Sequence, residues 1–463
     1  MADTTTTEPE QTGPAGQPSL KRVMGSKLLL FFVVGDIIGT GVYALTGQVA
    51  GRVGGALWLP FLIAFVVAFM TAFSYLELVG KYPQAAGAAL YTHKAFKIRF
   101  LTFMVAFAVM CSGITSASSA AKAFGDTYLA EFITAPMPLV AILFVIGLAA
   151  INFRGVAESV KTNVVLTCIE IAGLLIIIGV GVWAVLNGNG DASRLTQFDT
   201  ENQTMLVAIT SATSLAFFAM VGFEDSVNMA EECKDPIRIF PKAMLWGMVI
   251  AATIYILVSV TSSLLVPADD LEAAKSSALL KVLDVGAPGF PREVFSAIGL
   301  FAVINSALIN MLMASRLLYG MANQRIIPKA LGTVHPFRRS PWVAIVFTSL
   351  IAIGLVSFVD IGVLGGTTAL LLLVVFAIVN VAVLVLRKEK AAHKHFRAPT
   401  VIPILAAIFC VYLVTPLSGR PARDYTVAAI LLAVGLVLWG INWLVMRATH
   451  SEADREPIEP PVG

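Results

Sequence analysis

The sequence has little charge for its length. Only 13% of its 463 residues are Asp, Glu, Lys or Arg, while 57% are hydrophobic. A soluble globular domain carries charge on about a quarter of its residues, so this composition excludes that class. The mean hydropathy of +0.84 instead indicates a polytopic membrane protein, whose side chains mostly face lipid or the packed interior of a helix bundle.

Cysteine and histidine are also scarce, and their positions exclude several kinds of site. The four cysteines lie in or beside apolar runs without a CxxC spacing, so we predict packing residues and no disulfide framework. All five histidines fall in predicted cytoplasmic loops or the C-terminal tail, and no HExxH, haem-ligand pair or phosphate-binding loop occurs. We therefore predict that the protein is not an enzyme and holds no metal and no cofactor.

Long apolar runs dominate the rest of the chain. Cutting at charged and Pro- or Gly-rich joints leaves about twelve runs of membrane-spanning length. They cover residues 28–50, 56–80, 99–125, 136–153, 159–187, 203–232, 239–266, 293–319, 341–358, 362–386, 400–416 and 425–446. The spans are numbered one to twelve in this order below.

The distribution of basic residues predicts the orientation. With the N-terminus inside, roughly 24 Lys and Arg face the cytoplasm and roughly 8 face the other side, a strong positive-inside bias. We expect a multi-pass protein of the plasma (inner) membrane with both termini cytoplasmic and no nucleic-acid partner. Residues 1–24 and 448–463 are predicted to be disordered cytoplasmic tails, and no cleavable signal peptide is expected.

Two spans are interrupted by residues that suit a membrane helix poorly. Residues 35–41 read GDIIGTG in the middle of span one, and an Asp at mid-bilayer costs roughly 2.5 to 3.5 kcal/mol. Span six carries Gly222, Glu224 and Asp225 in its middle. A break leaves helix-terminal N–H and C=O groups without intrahelical partners, and these groups can bind a small charged solute. We therefore predict that helices 1 and 6 are discontinuous and that their breaks meet near the midplane, although Gly222 could instead serve helix packing alone.

These breaks and several further motifs resemble those of the amino acid-polyamine-organocation (APC) superfamily. The motifs are GDIIGTG in span one, YLEL and YPQAAG around the end of span two, FFAMVGFE and EECKDP in and after span six, and SRLLYGMA at the end of span eight. The resemblance covers nearly the whole chain and is strongest to the branch that contains cationic amino acid transporters. It implies an all-α fold of two inverted five-helix repeats (a LeuT-like fold), residues 25–187 and 203–387, followed by two extra helices in 400–447.

The resemblance also implies which residues bind solute. A solute carboxylate would meet backbone N–H groups at the first break, and a solute ammonium would meet carbonyl groups at the second. The first set is Ile38, Gly39, Thr40 and Gly41, and the second set is Phe217, Phe218, Ala219 and Met220, with the Thr40 hydroxyl and Phe223 as side-chain neighbours.

Two acids depart from the family pattern and suggest a coupling site. Several proton-coupled relatives carry a lysine in span five where this sequence has Glu170, and Asp36 follows the first glycine of the span-one motif. Two carboxylates near each other in a low-dielectric cavity must share a proton or hold a cation. We therefore assign coupling to Asp36, Glu170 and Glu224, with a proton or a sodium ion as the coupling ion. Asp36 could instead cap the broken helix or bond Tyr43, and Glu170 could be a packing carboxylate.

The remaining polar residues of the spans are assigned to gates or packing. Glu77, near the inner end of span two, is expected to pair with Arg316 or with a base in a loop. Glu224 and Asp225 are expected to divide two roles, one lining the path and the other capping the second half-helix. The gate or structural set is Tyr43, Glu77, Glu231, Arg316 and Tyr319.

The sequence therefore predicts a secondary active transporter of amino acids that works by alternating access and uses the proton gradient. Its expected partners are a small amino acid or amine, a proton or monovalent cation, and the lipid bilayer. The carboxylates leave two alternatives open. One is a transporter selective for a polyamine, another organic amine or potassium, and the other is a sodium-coupled amino acid symporter.

Overall fold

The structure, a computed structural model, describes residues 24–83, 87–154, 160–199, 203–323, 325–338, 340–389, 391 and 393–448. All the regular elements in these residues are helices and none is a β-strand, which confirms the all-α prediction. Apart from Met24 and Ala448, the two predicted tails lie outside the described residues.

The described residues form sixteen α-helices. Their bounds are α1 Ser26–Ile37, α2 Thr40–Val53, α3 Trp58–Lys81, α4 Gly87–Phe96, α5 Arg99–Ala123, α6 Met137–Arg154, α7 Val160–Leu186, α8 Met205–Ala216, α9 Pro236–Leu265, α10 Ala268–Ala274, α11 Ala278–Gly286, α12 Arg292–Asn323, α13 Trp342–Phe358, α14 Ile361–Leu386, α15 Val401–Val414 and α16 Ala422–Ala448. In this part of the chain, nine segments are long and apolar enough to cross a membrane, and α6, α13 and α15 are shorter apolar helices. Taken in order, these segments coincide with the predicted runs.

Spans one and six are both interrupted, as predicted. α1 ends at Ile37 and α2 begins at Thr40, so the first break lies at residues 38–39. α8 ends at Ala216, where a 3₁₀ turn over Phe217–Met220 follows. Beyond this second break the chain continues as a 3₁₀ helix, Asp225–Glu232, and not as a second α-helical half.

The broken spans lie at the centre of the bundle. In span one, 78% of the apolar 18-residue window is buried by protein, against 22% in span twelve, so span one is internal and span twelve lies at the periphery of the bundle. α1 packs against α7 and α9, while α2 packs against α8 and α14. Backbone interruptions at membrane depth are therefore surrounded by protein, which is the setting in which they are tolerated.

Candidate solute-binding site

The two breaks touch each other. A Cβ added at Gly41 would lie 2.5 Å from the Cα of Ala219, and a Cβ added at Gly222 would lie 2.5 Å from the carbonyl oxygen of Asp36. Gly222 has φ +122°, a backbone conformation that residues with a side chain rarely adopt. The two backbones approach this closely because glycine occupies both positions, and the predicted meeting of the breaks is confirmed.

The first break supplies N–H groups. The N–H of Ile38 donates to the carbonyl of Val34 (2.8 Å), so it is used inside the first half of span one. This corrects the prediction that Ile38 offers its N–H to a solute. Gly39 precedes α2, and Thr40 and Gly41 open it, where a helix has N–H groups without intrahelical partners. The buried Thr40 hydroxyl also has no hydrogen-bond partner among the described residues.

The second break supplies an apolar wall and the carbonyl end of α8. Phe217, Phe218, Ala219 and Met220 are all buried. Phe223 is buried too, and its ring centroid lies 5.7 Å from that of Tyr75 and 5.3 Å from that of Phe376. An apolar lining of this kind lowers the local dielectric and so strengthens the interaction of a charged solute with the two helix ends.

Glu224 and Asp225 follow the second break and line a cavity. A carboxylate oxygen of Glu224 accepts a hydrogen bond from the N–H of Gly222 (2.9 Å). Both acids border a small cavity of about 20 Å³, whose other walls come from spans three, eight and ten. Glu224 therefore lines the cavity and binds the backbone of the break, but its side chain does not cap the 3₁₀ helix that follows. The division of lining and capping between the two acids stays a prediction.

Glu170 lies behind the first break, on α7. Its side chain is fully buried, and one carboxylate oxygen accepts a hydrogen bond from the amide of Asn305 on α12 (3.1 Å). The other carboxylate oxygen has no hydrogen-bond partner in the described part of the chain. Asp36 is partly buried, and its backbone touches Gly222. The described hydrogen bond of Glu170 thus goes to Asn305, and its coupling with Asp36 stays a prediction.

Three buried tyrosines hold the first break in place. Tyr255 on α9 donates its hydroxyl to the carbonyl of Ile37 (2.6 Å), at the end of α1. Tyr43 on α2 donates to the backbone carbonyl of Glu170 (2.6 Å), and Tyr128 donates to the carbonyl of Tyr43 (2.8 Å). The Tyr43 hydroxyl therefore donates to span five.

The other predicted gate residues lie on spans two and eight and in the segment after the second break. Glu77 forms a buried, two-pronged ion pair with Arg387, at 2.6 and 2.7 Å, and accepts a further bond from the N–H of Ala398 (2.9 Å). Arg387 directly follows α14, so the partner of Glu77 is a base at the start of a loop. The suggested pairing with Arg316 is wrong, because that residue is exposed and makes no ion pair within the described ranges. Tyr319 is partly buried on α12.

Glu231, the remaining predicted gate residue, lies in the 3₁₀ helix Asp225–Glu232, and its side chain is outside the described part. Sequence reasoning missed Asn305, Tyr255 and Arg387. Asn305 carried a usable signal, because an amide inside an apolar span needs a polar partner. Tyr255 carried none, since a single tyrosine in an apolar run is ordinary.

Comparison with known proteins places the chain in a family. The profile described as "Amino acid permease" matches residues 27–442. The branched-chain amino acid permease BcaP of Bacillus subtilis is 26% identical over 450 residues, which cover 92% of this chain and 94% of BcaP. The methylthioribose transporter of the same organism is 27% identical over 443 residues, 91% of this chain and 93% of that protein.

A third relative, the low-affinity putrescine importer PlaP of Escherichia coli, is 25% identical over 411 residues, 83% of this chain and 84% of PlaP. The named activities differ, but each of the three relatives is named as a permease, transporter or importer. The match with the family profile spans nearly the whole chain, from the first apolar helix to the last. The chain is therefore a multi-pass membrane protein that belongs to the amino acid permease family.

Proposed function

We propose that the protein is a secondary active transporter of amino acids, driven by the proton gradient. One observation carries the proposal. The N–H end of α2 and the carbonyl end of α8 meet at the centre of the bundle. In an α-amino acid the carboxylate and the ammonium group are both bonded to the Cα. The solute can therefore place its negative group at the positive end of one helix and its positive group at the negative end of the other.

The positions of the buried breaks and of the cavity support alternating access. Residues of both breaks are buried, while the cavity at Glu224 and Asp225 begins directly after the second break. With the N-terminus inside, this cavity lies on the cytoplasmic half of the bundle. The structure then corresponds to a state that is closed outside, and opening toward the outside requires the spans above the breaks to separate.

Glu170 is our candidate for the coupling proton. An ionised carboxylate buried at membrane depth is costly unless it is well solvated or paired, and the only described hydrogen bond to this one comes from a neutral amide. A proton taken up from the outside and released to the inside would couple the neutralisation of Glu170 to movement of the adjacent half-helix. Asp36, on that half-helix, is the second member of the proposed coupling set.

A second candidate function is transport of an amine without a carboxylate. Glu224 and Asp225 line the cavity next to the second break and favour a cationic solute electrostatically. The name of the relative PlaP, a putrescine importer, is consistent with this alternative. The two candidates differ in one requirement, since only the amino acid site needs a carboxylate on the solute.

Competition in proteoliposomes tests the proposal. With an acidic exterior, we expect uptake of at least one labelled L-α-amino acid, and we expect unlabelled amino acids to compete. The methyl ester of the transported amino acid keeps the ammonium group and loses the carboxylate. It should compete at least about tenfold more weakly than the free amino acid, because it cannot form the charge-assisted bonds to the first break. If the ester and putrescine compete as strongly as the amino acid, the protein is an amine transporter instead. If uptake depends on sodium at constant pH, the coupling ion is sodium and not the proton.

A further inference from the structure

The connection between spans eleven and twelve, residues 415–421, folds into the core and contacts the first half of span six. The carbonyl of Ser418 accepts a hydrogen bond from the Thr210 hydroxyl on α8 (3.0 Å). Next to it, Gly419 has φ +75°, and a Cβ there would lie 2.6 Å from a methyl group of Val207. The connection therefore follows one face of α8 for more than a helical turn.

Arg420, at the end of this connection, bridges two spans of the core. Its side chain is fully buried. One terminal nitrogen, Nη1, donates to the carbonyl of Gly366 on α14 (2.6 Å), and the other, Nη2, donates to the carbonyl of Ser214 on α8 (3.3 Å). Ser214 lies in the last turn of α8, directly before the second break, where a cation is favoured by the negative end of the helix.

Asp424 balances this charge and extends the bridge. It lies in the first turn of α16, fully buried, and accepts a bond from Arg420 Nη1 (3.3 Å). Arg52, at the end of α2, acts on the same carboxylate electrostatically and donates to the carbonyl of Ser211 (3.0 Å). The guanidinium groups of Arg52 and Arg420 thus bind carbonyls one turn apart on α8, and both groups interact with the carboxylate of Asp424.

Span ten is closely packed against span one at the same level. A Cβ added at Gly365 would lie 2.5 Å from a methyl group of Leu45 on α2. The carbonyl of the next residue, Gly366, is the one that Arg420 binds. Arg420 therefore ties span ten to α8 where both cover the predicted outer side of the breaks.

We propose that Arg420 is a positioning residue of the transport cycle, which holds span ten against the first half of span six in the outward-closed state. The inference rests on the proposed function, since it assigns a part in alternating access. Outward opening separates α14 from α8 or α2, and the guanidinium cannot keep both carbonyls when they part. Its bonds to Gly366 and Ser214 therefore stabilise the closed state relative to the open one.

Site-directed labelling of the full-length protein in liposomes tests this role. Leu45→Cys reports opening on the predicted outer side, because Leu45 is buried beneath span ten, and Leu317→Cys reports the inner cavity that it lines. Both are placed in a background with Cys168→Ser, which removes the exposed native thiol. A charged maleimide that does not cross the bilayer is applied from either side.

Arg420→Lys keeps the charge for Asp424 but loses the planar fork that spans two carbonyls. We expect outer labelling at Leu45→Cys to rise about tenfold, as the loss of one charge-assisted bond predicts, and inner labelling at Leu317→Cys to fall. Mere loosening of the fold would raise labelling from both sides. Arg423→Lys is the matched control, because Arg423 lies three residues on and forms an exposed ion pair with Asp360. It should change neither rate.

Outer labelling that is the same in Arg420→Lys and Arg423→Lys would overturn the role of Arg420. If Arg420→Lys does not fold, the pair Arg420→Gln with Asp424→Asn, which removes both buried charges together, is measured against the same criteria. Transport by the parent protein separates the two proposals. A parent that transports while Arg420→Lys leaves labelling unchanged refutes this inference alone, whereas a parent that transports no solute refutes the proposed function.

Discussion

Replacing Gly222 with alanine is expected to lower uptake at least about a hundredfold, because the two breaks can then no longer touch. The position has φ +122°, and the added methyl group would lie 2.5 Å from the backbone carbonyl of Asp36. Backbone strain of this kind costs about 1 to 3 kcal/mol, and the displacement of one break from the other adds to it. Initial rates of uptake, divided by the amount of folded protein, measure the effect.

Gly354→Ala is the control for Gly222→Ala. Gly354 lies in α13, and a Cβ added there would meet no heavy atom within 4 Å. Alanine at this position removes a flexible residue from a helix without a clash, so uptake should stay within about twofold of the parent. Normal uptake by Gly222→Ala would mean that the two breaks need not meet for transport.

Glu170→Gln is expected to abolish accumulation against a gradient while leaving exchange of solute intact. The substitution keeps the size of the side chain and removes its ability to carry a proton. Moving one charge through 100 mV supplies about 2.3 kcal/mol, which supports roughly fifty-fold accumulation, and the variant should fall to the external concentration. The parent's uptake should increase as the exterior is acidified, and that of the variant should not.

Glu77→Gln is the matched control for Glu170→Gln, because Glu77 is also a buried carboxylate on a spanning helix. Its partner is Arg387 at the start of a loop, away from the breaks. The control should lose stability, since a buried guanidinium is left unpaired, but it should keep the pH dependence of accumulation per folded molecule. Full pH-dependent accumulation by Glu170→Gln together with Asp36→Asn would remove both acids from the coupling mechanism.

The sequence was sufficient to locate the breaks and the spans because both have local causes. Glycines and an acid inside an apolar run conflict with a continuous membrane helix wherever the rest of the protein lies. The meeting of the breaks was predicted from the pattern of one interruption in span one and another in span six. The structure adds the physical reason, which is that Gly41 and Gly222 let backbone approach backbone.

The partners of the buried polar groups could not be predicted in the same way. Glu170 and Asn305 lie 135 positions apart, and Glu77 and Arg387 lie 310 apart. Pairings over such separations depend on how helices rotate and pack, and a single sequence contains no local signal of that. Arg316 was a reasonable partner for Glu77 by depth in the membrane, yet it lies on an exposed face of α12.

The sequence also could not predict which backbone N–H groups at the first break remain available to a solute. The GDIIGTG motif identifies the break but not the residue at which the first helix ends. Because α1 includes Ile37, the N–H of Ile38 still bonds within that helix. The N–H of Gly39 bonds the hydroxyl of Tyr255, so the N–H groups that remain for a solute begin at Thr40. Similarly, no local pattern identifies Arg420, because its bond to Ser214 requires the connection after α15 to fold inward.

The most direct test of a solute site between the breaks is protection of a cysteine placed there. Thr40→Cys, in a variant that still transports, is modified with N-ethylmaleimide in the presence and absence of the best transported amino acid. A second cysteine, placed at the exposed loop residue Asn189, serves as the internal reference. At ten times the dissociation constant, the solute should slow modification at residue 40 about tenfold, as mass action requires, and leave the cysteine at residue 189 unaffected. Equal modification rates with and without a solute that the variant transports would contradict the account.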